Sequence, residues 1–191
     1  MQEPFLIGER VYLRPLERED ASLLVPWLRE PQVTQTLGEV FIPADIQPAD
    51  IQAEADLIER LYREGHDYLL GIVLQSPDET DETAGTDRLI GVTEMHHLDL
   101  HNRQASFGIV IGDRQEWGKG YGAEVTALLC DYVFSGLELN RVWLHVDERN
   151  TRGIRAYEKV GFQREGLLRQ DRYTDAGYQN TVVMAVLREE W

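Results

Sequence analysis

The chain has 191 residues, 42% of them hydrophobic and 28% charged, which suits one globular domain with a full apolar core. Its 19 basic and 34 acidic side chains give a net charge of −15, which argues against a face that neutralises nucleic-acid phosphates, although an acidic surface can gather cationic substrates. We expect a soluble, cytoplasmic protein, because the sequence shows no basic amphipathic leader, no apolar run near the roughly 18 residues of a membrane span, and a single cysteine, Cys130, which excludes an internal disulfide.

The first half of the chain predicts strands and helices in alternation. Strands are predicted over 9–16, 68–75 and 89–98, and helices over 20–30 and 49–64. Pro26 lies inside the first helical pattern, where a proline removes a backbone donor, so it threatens to split that helix. Residues 76–87 are acidic and poor in apolar side chains, which predicts a mobile hairpin tip.

The second half is organised around a change of periodicity. Apolar side chains alternate over 103–111 and then recur at helical spacing as far as Gly136, which predicts a strand, a glycine turn and a helix. A strand over 141–147, a helix over 151–160 and strands over 162–168 and 180–187 are predicted to follow. This order contains one βαβ crossover among antiparallel neighbours, so we expect a mixed α/β sheet in a single domain spanning 1–191.

Three glycines, at positions 118, 120 and 122, mark the turn before the long helix. Positions without Cβ let a ligand approach the main chain, and the first helical turn offers unpaired N–H groups at its positive end. The turn therefore predicts an anion site, most naturally for phosphate. It is not a P-loop, because Lys119 is followed by Gly120 and not by serine or threonine, and the glycine spacing fits a dinucleotide fold poorly.

Two motifs resemble those of a known family. Gln115-Glu-Trp-Gly-Lys-Gly120 is similar to the acetyl-CoA signature of the GNAT N-acetyltransferases, in particular the branch holding ribosomal-protein N-terminal and spermidine acetyltransferases. The segment from Asn150 through Tyr157 to Gly161-Phe162 is similar to the later motif of that family. The resemblance covers about residues 8–190. It implies a GNAT fold, a mixed and mostly antiparallel central sheet flanked by helices, with acetyl-CoA as cosubstrate, no metal, and a homodimer as a possible assembly.

The resemblance also implies which residues hold the cofactor. These are Ile109, Ile111, Gln115, Trp117, Gly118, Lys119, Gly120, Tyr121, Gly122 and Asn150. In the resembled fold the strand at 109–111 separates from its neighbour, which leaves main-chain groups to pair with the pantetheine amides. Lys119 either adds charge beside the diphosphate or is simply solvated. Asn150 either caps the helix or hydrogen-bonds the pantetheine arm.

Acetyl transfer needs a proton for the leaving thiolate and an unprotonated amine. Tyr157 is the expected general acid, because the pKa of a phenol, about 10, is close to that of an alkyl thiol. Strand alternation puts Ile90, Val92, Glu94 and His96 on one face, so Glu94 follows two apolar neighbours and is the first candidate for a base, with His96 second. His97, Asp99 and His101 would also share a face, but they run into a polar turn, and we expect no metal site.

The acceptor is expected to be a primary amine of one of two classes. The branch resemblance favours a protein N-terminal α-amine, whereas the acidity of the chain favours a polyamine or another small cationic amine. In the resembled family the region of the first helices borders the acceptor site, which makes Trp27 and residues 33–42 candidates for substrate contact, with core packing as the alternative role of Trp27. Relatives often carry an aspartate after the glycine of the last hairpin, and Gly177-Tyr-Gln-Asn180 offers an amide there. The rival hypothesis is a non-catalytic acyl-CoA sensor, against which Tyr157 argues, because a sensor needs no acid for a thiolate.

Overall fold

A computed structural model describes residues 3–37, 69–75, 88–174 and 176–191 of the chain. The strands are β1 (Leu6–Ile7), β2 (Val11–Pro15), β3 (Leu69–Leu74), β4 (Arg88–Asp99), β5 (Gln104–Ile111), β6 (Arg141–Asp147), β7 (Gln163–Thr174) and β8 (Gly177–Leu187). The helices are α1 (Ala21–Arg29), α2 (Pro31–Thr34), α3 (Tyr121–Asp131), which a π-helical turn over Tyr132–Gly136 extends, and α4 (Thr151–Val160). The predicted helix over 49–64 and the hairpin tip over 76–87 lie outside the described residues.

The strands form one sheet in the order β1-β2-β3-β4-β5-β6-β8-β7. Every neighbouring pair is antiparallel except β5 and β6, which are parallel because α3 forms the crossover between them. The predicted mixed, mostly antiparallel sheet with flanking helices is therefore confirmed. Among the described helices, none is long and apolar enough to cross a membrane.

Helices cover the two faces of the sheet, and each side has its own apolar cluster. On one face, α3 and α4 pack on alternate residues of the central strands, such as Phe107 of β5 and Leu144 of β6. On the other face, α1 and α2 pack on the complementary set, such as Val92 of β4 and Val110 of β5. We call these the α3/α4 face and the α1/α2 face. Residues on the two faces are therefore separated by the sheet and are accessible from opposite sides of it.

The first helix and the last hairpin differ from their predicted forms. Helix α1 continues through Pro26 as far as Arg29. The carbonyl that loses its helical donor there is that of Ser22, and both Ser22 and Pro26 are exposed, so this carbonyl faces water. Strand β7 extends six residues beyond the predicted end at 168, and β8 begins three residues before its predicted start at 180.

One prediction about β4 is wrong, because the strand contains a β-bulge. The pairing of β3 with β4 shifts register between Ile72 and Val73, so Ile90 is the extra residue on β4. The bulge turns Ile90 into the α3/α4 cluster, whereas Val92 belongs to the α1/α2 cluster. Ile90 therefore does not share a face with Val92 and Glu94. Leu89 takes its place, because the bulge puts Leu89 in the α1/α2 cluster with Val92, so Glu94 follows Leu89 and Val92 on its face.

Candidate active site

The gap between β5 and β6 opens at the carboxyl ends of these parallel strands. They pair only from Gln104 with Arg141 to Ser106 with Trp143, and then diverge. The carbonyl of Ile111 accepts a hydrogen bond from the Trp117 indole (2.7 Å). Since main-chain groups alternate between the two sides of a strand, Ile109 also directs its N–H and C=O toward the gap. A parallel pair that separates in this way leaves donors and acceptors available to a ligand.

A cavity of about 300 Å³ lies on the α3/α4 side of this gap, between β5, the start of α3 and α4. Eight of the ten predicted cofactor residues line it, namely Ile109, Ile111, Trp117, Gly118, Gly120, Tyr121, Gly122 and Asn150. Tyr157 lines it as well. Gln115 and Lys119 are exposed outside this lining.

The glycine turn has the backbone that its sequence predicts. Gly118 (φ 78°) and Gly120 (φ 91°) are left-handed, a conformation that other residues adopt only with strain, and Gly120 is the N-cap of α3. A Cβ at Gly118 would meet no atom within 4 Å, so the turn is open toward the cavity. The first amides of α3 face this space at the positive end of the helix, as an anion site requires.

The start of α3 is fixed from behind by Arg10, which the sequence analysis did not single out. Glu124, in the first turn of α3, accepts hydrogen bonds from the Arg10 main-chain N (2.7 Å) and Nε (2.8 Å). Arg10 Nη1 donates to the Lys119 carbonyl (3.0 Å), and its guanidinium lies 4.7 Å from the centroid of the Tyr121 ring. The glycine turn is therefore tied to β2 through one arginine.

Lys119 forms an ion pair with Glu116, at 2.8 Å between Nζ and Oε2. Glu116 is buried and also accepts from Arg88 Nη2 (2.6 Å). Hydrogen bonds from Lys119 and Arg88 outweigh desolvation and hold the pKa of Glu116 below its usual value. In this structure the charge of Lys119 is thus directed at Glu116 and not into the cavity.

The positive charge that does line the cavity comes from α4. Arg152, Arg155 and Lys159 project from one side of this helix, and we call them the basic face of α4. The Arg152 guanidinium stacks 3.6 Å from the centroid of the Trp117 ring. None of the three forms an ion pair with a described residue, although the chain has a net charge of −15 and carries many carboxylates, so these cations are available to an anionic ligand. Their i, i+3, i+7 spacing on a predicted helix was the signal that could have found them.

Tyr157 is held in the α3/α4 cluster with its hydroxyl at the cavity. Its ring lies 6.4 Å from that of Phe107 and 5.8 Å from that of Phe162, and the residue is 9% exposed. Among the described residues the hydroxyl has no hydrogen-bond partner. Burial raises the pKa of Tyr157 to about 12, above the value near 10 expected from the sequence. The hydroxyl therefore stays protonated throughout the physiological range.

Asn150 joins the gap to α4 and caps the helix. Its Oδ1 accepts from the Gly153 N–H (2.9 Å), and its own N–H donates to the Asp147 carbonyl (2.9 Å). Capping uses the side-chain oxygen and leaves the amide NH₂ group for the cavity that the residue lines. The two predicted roles are therefore compatible.

Glu94 and His96 lie on β4, across the sheet from this cavity, and neither lines it. Glu94 is 5% exposed and pairs with Gly108 of β5, two residues along from the pair Val92–Val110, which puts it on the α1/α2 face. His96 is half-buried beside His97, with 5.1 Å between the ring centroids. Glu94 and Tyr157 therefore lie on opposite faces of the sheet, and Glu94 is at the level where β5 and β6 separate.

The histidines after His96 do not form the cluster that strand alternation suggests. His97 has a positive φ of 50°, and the β4–β5 pairing shifts register between His96 and Asp99, so the alternation ends there. The His97 ring stacks on Trp143, with 5.5 Å between centroids. No group of three or more His, Cys, Asp or Glu side chains among the described residues is arranged to hold a metal ion.

Comparisons with known proteins bear on this arrangement. Residues 10–163 match the family model described as an acetyltransferase (GNAT) domain. The chain is 30% identical over 190 residues to the uncharacterized N-acetyltransferase p20 of Bacillus licheniformis, with 97% of each chain covered. It is 29% identical over 192 residues to the spermidine N(1)-acetyltransferase of Escherichia coli (strain K12), covering 95% of this chain and 88% of the relative.

A solved structure gives the same result for the fold. The crystal structure of spermidine N-acetyltransferase from Vibrio cholerae in complex with CoA and spermine superimposes with a TM-score of 0.73 at 25% sequence identity, over 95% of this chain and 97% of that one.

Proposed function

The chain belongs to the GNAT family of acetyltransferases, and from this premise we propose that it transfers the acetyl group of acetyl-CoA to a primary amine by direct attack on the thioester. The observation that carries the proposal is the cavity on the α3/α4 face, where a glycine turn, a basic helix face and a protonated tyrosine converge. The acetyl-CoA signature predicted from the sequence lies on one side of this cavity and the later motif on the other.

The cavity suits acetyl-CoA chemically. CoA carries a diphosphate and a further phosphate, and the amides at the start of α3 and the basic face of α4 are donors for such anions. Ile109 and Ile111 provide an apolar floor with main-chain groups directed into the gap, which suits the amides of a pantetheine arm. The CoA-bound structure of the Vibrio cholerae relative supports the same choice of cofactor.

Acetyl-CoA supplies the acetyl group as a thioester. In the reaction the amine nitrogen bonds to the carbonyl carbon, the carbon–sulfur bond breaks, and the amine loses a proton while the sulfur gains one. Tyr157 holds a proton at its hydroxyl oxygen, and burial keeps it there at any physiological pH. Because its pKa of about 12 exceeds that of a thiol, the hydroxyl acts chiefly by donating a hydrogen bond to the sulfur as negative charge develops.

Direct attack needs no acyl-enzyme, and the one cysteine supports this. Cys130 is completely buried inside α3, and burial raises the pKa of its thiol, so the thiolate that a nucleophile requires is not formed. On the amine side we propose Glu94 as the base, acting directly or through water, with His96 as the second candidate. Glu94 pairs with Gly108, beyond the last β5–β6 pair at Ser106, whereas His96 pairs with Ser106 itself, and this supports the order.

For the acceptor we propose the α-amine of a polypeptide N-terminus. On the α1/α2 face of the described residues, Asp147 is neutralised by Arg149 and Arg172, so its charge is not available to bind the extra ammonium groups of a polyamine. An α-amine, with a pKa of about 8, also needs little help to lose its proton. A polyamine is the second candidate, favoured by the net charge of −15 and by the spermidine-acetylating relatives. A homodimer and a cytoplasmic location stay predictions.

The test is thiol release from acetyl-CoA with a panel of acceptors: spermidine, small amines, and peptides beginning with Ala, Ser or Met. Turnover is expected on the peptides. Turnover on spermidine alone would move the second candidate first. Tight binding of acetyl-CoA with no turnover on any amine would refute catalysis and favour the sensor.

A further inference from the structure

Asp147 ends β6 at the gap, and its carboxylate is completely buried. Oδ1 accepts from Arg149 N (2.8 Å) and Nε (3.0 Å), and Oδ2 accepts from Arg149 Nη2 (2.8 Å) and Arg172 Nη2 (2.5 Å). Burial opposes ionisation, but these hydrogen bonds and charges outweigh it and hold the pKa of Asp147 below its ordinary value. Asp147, Arg149 and Arg172, which we call the Asp147 cluster, are therefore all charged at neutral pH.

The same two arginines reach the main chain that follows α2. Arg149 Nη2 donates to the Gln35 carbonyl (3.1 Å), and Arg172 Nη1 donates to the Leu37 carbonyl (2.8 Å). Leu37 packs against the apolar cluster of the α1/α2 face. The Asp147 cluster thus joins segment 35–37, the end of β6 and β7, which are far apart in sequence.

Asp147 also contacts the cofactor side of the gap through its main chain. Its carbonyl accepts from the N–H of Asn150, the cap of α4, and α4 carries Tyr157. One residue therefore has its side chain linked to segment 35–37 and its main chain linked to the helix of the proposed acid. A displacement of Asp147 would therefore change the position of segment 35–37 relative to α4 and Tyr157.

We propose that the Asp147 cluster positions the acceptor: Arg149 and Arg172 hold segment 35–37 beside the gap so that the amine meets the acetyl group at bonding distance. This inference rests on the proposed function. The Asp147 carboxylate is completely buried, whereas the Arg149 and Arg172 side chains are 43% and 18% exposed. Such a pair is weak evidence for a stabilising role, and the contacts that support positioning are the hydrogen bonds of the two arginines to the Gln35 and Leu37 carbonyls. Arginine is required, because its planar fork reaches a carboxylate and a carbonyl at once, whereas a lysine offers a single ammonium.

Arg172→Lys separates charge from geometry, because lysine keeps the charge beside Asp147 but cannot keep both contacts of the fork. With both substrates varied, the KM for the amine is expected to rise roughly ten-fold while the KM for acetyl-CoA stays unchanged. Arg172→Met should raise the amine KM further. Arg141→Met is the matched control, because it removes another arginine–carboxylate pair between β6 and β7, to Glu165 (2.9 and 2.6 Å), at the far end of β6. Its amine KM should equal that of the wild type.

An amine KM that is unchanged in Arg172→Lys and Arg172→Met would overturn the positioning role, and turnover by the wild type in the same assay would leave the proposed function standing. Equal rises in the Arg141→Met and Arg172 variants would also overturn it, because they would reflect a general loosening of the sheet. If Arg172→Met does not fold, Arg172→Lys decides alone. A wild type that acetylates no amine refutes both the proposed function and the inference.

Discussion

Replacing Tyr157 by phenylalanine removes a single oxygen from a side chain whose ring is held by its neighbours. Phe107 and Phe162 lie 6.4 and 5.8 Å from the Tyr157 ring, and a phenylalanine keeps both contacts, so the fold is expected to be unaffected. The hydroxyl has no hydrogen-bond partner among the described residues, so its removal leaves no other buried polar group without a partner there. Any change in rate can then be assigned to the missing donor.

The expected loss in kcat is about 10²-fold, the lower end of the range for a positioned acid, which corresponds to about 2.7 kcal/mol of transition-state stabilisation. The KM for acetyl-CoA should stay close to that of the wild type, because the hydroxyl acts on the sulfur only as charge develops there. The assay is thiol release under saturating amine, with circular dichroism and thermal unfolding of both proteins as controls for the fold. A kcat equal to that of the wild type would refute the role of Tyr157, and an equal loss in kcat and in cofactor affinity would assign the hydroxyl to binding.

Three further predictions concern the cavity and its supports. In the proposed mechanism protonated Tyr157 is the active form, and burial raises its pKa to about 12, so no loss of kcat through this group is expected as the pH rises. A fall in kcat centred near pH 10, present in the wild type and absent in Tyr157→Phe, would contradict this. Gly120→Val forces a β-branched residue into a left-handed conformation (φ 91°), and equilibrium titration should show acetyl-CoA binding abolished in a protein that remains folded; normal affinity would refute the diphosphate site. Arg10→Met removes the side-chain contacts of Arg10 with Glu124 and the Lys119 carbonyl but keeps the main-chain bond to Glu124, and it should raise the KM for acetyl-CoA several-fold without changing the KM for the amine. Arg164→Met, which removes only an exposed pair with Glu158, should change neither.

The parts of the molecule that follow from local patterns were predictable from the sequence. The alternation around Phe107, the glycine turn and the helical spacing before Tyr157 each specify their element within a few residues, and the structure confirms the strand, the turn and the helix. The glycines that line the cavity were found for the same reason, since a left-handed backbone is a property of the residue itself.

The parts that were missed depend on partners distant in sequence. The bulge at Ile90 arises from the register of β4 against β3, and nothing in the alternation of β4 itself marks it. The ion pair that takes up Lys119 requires Glu116 to be buried beneath the turn, and Arg10 reaches Glu124 across 114 positions of the chain. The basic face of α4 was available from helical spacing, but only once that helix is known to face the glycine turn.

Strands β5 and β6 pair over only three residues, so the sheet has an opening between them that connects its two faces. In the proposed function acetyl-CoA binds from the side of α3 and α4 and the amine from the side of α1 and α2, so neither substrate has to leave before the other binds. Such two-sided access predicts a ternary complex in which both reactants are present together. Double-reciprocal plots of initial rate against acetyl-CoA concentration, at several fixed amine concentrations, should accordingly intersect at a common point. Parallel lines would indicate that one substrate must react and its product leave before the other substrate binds.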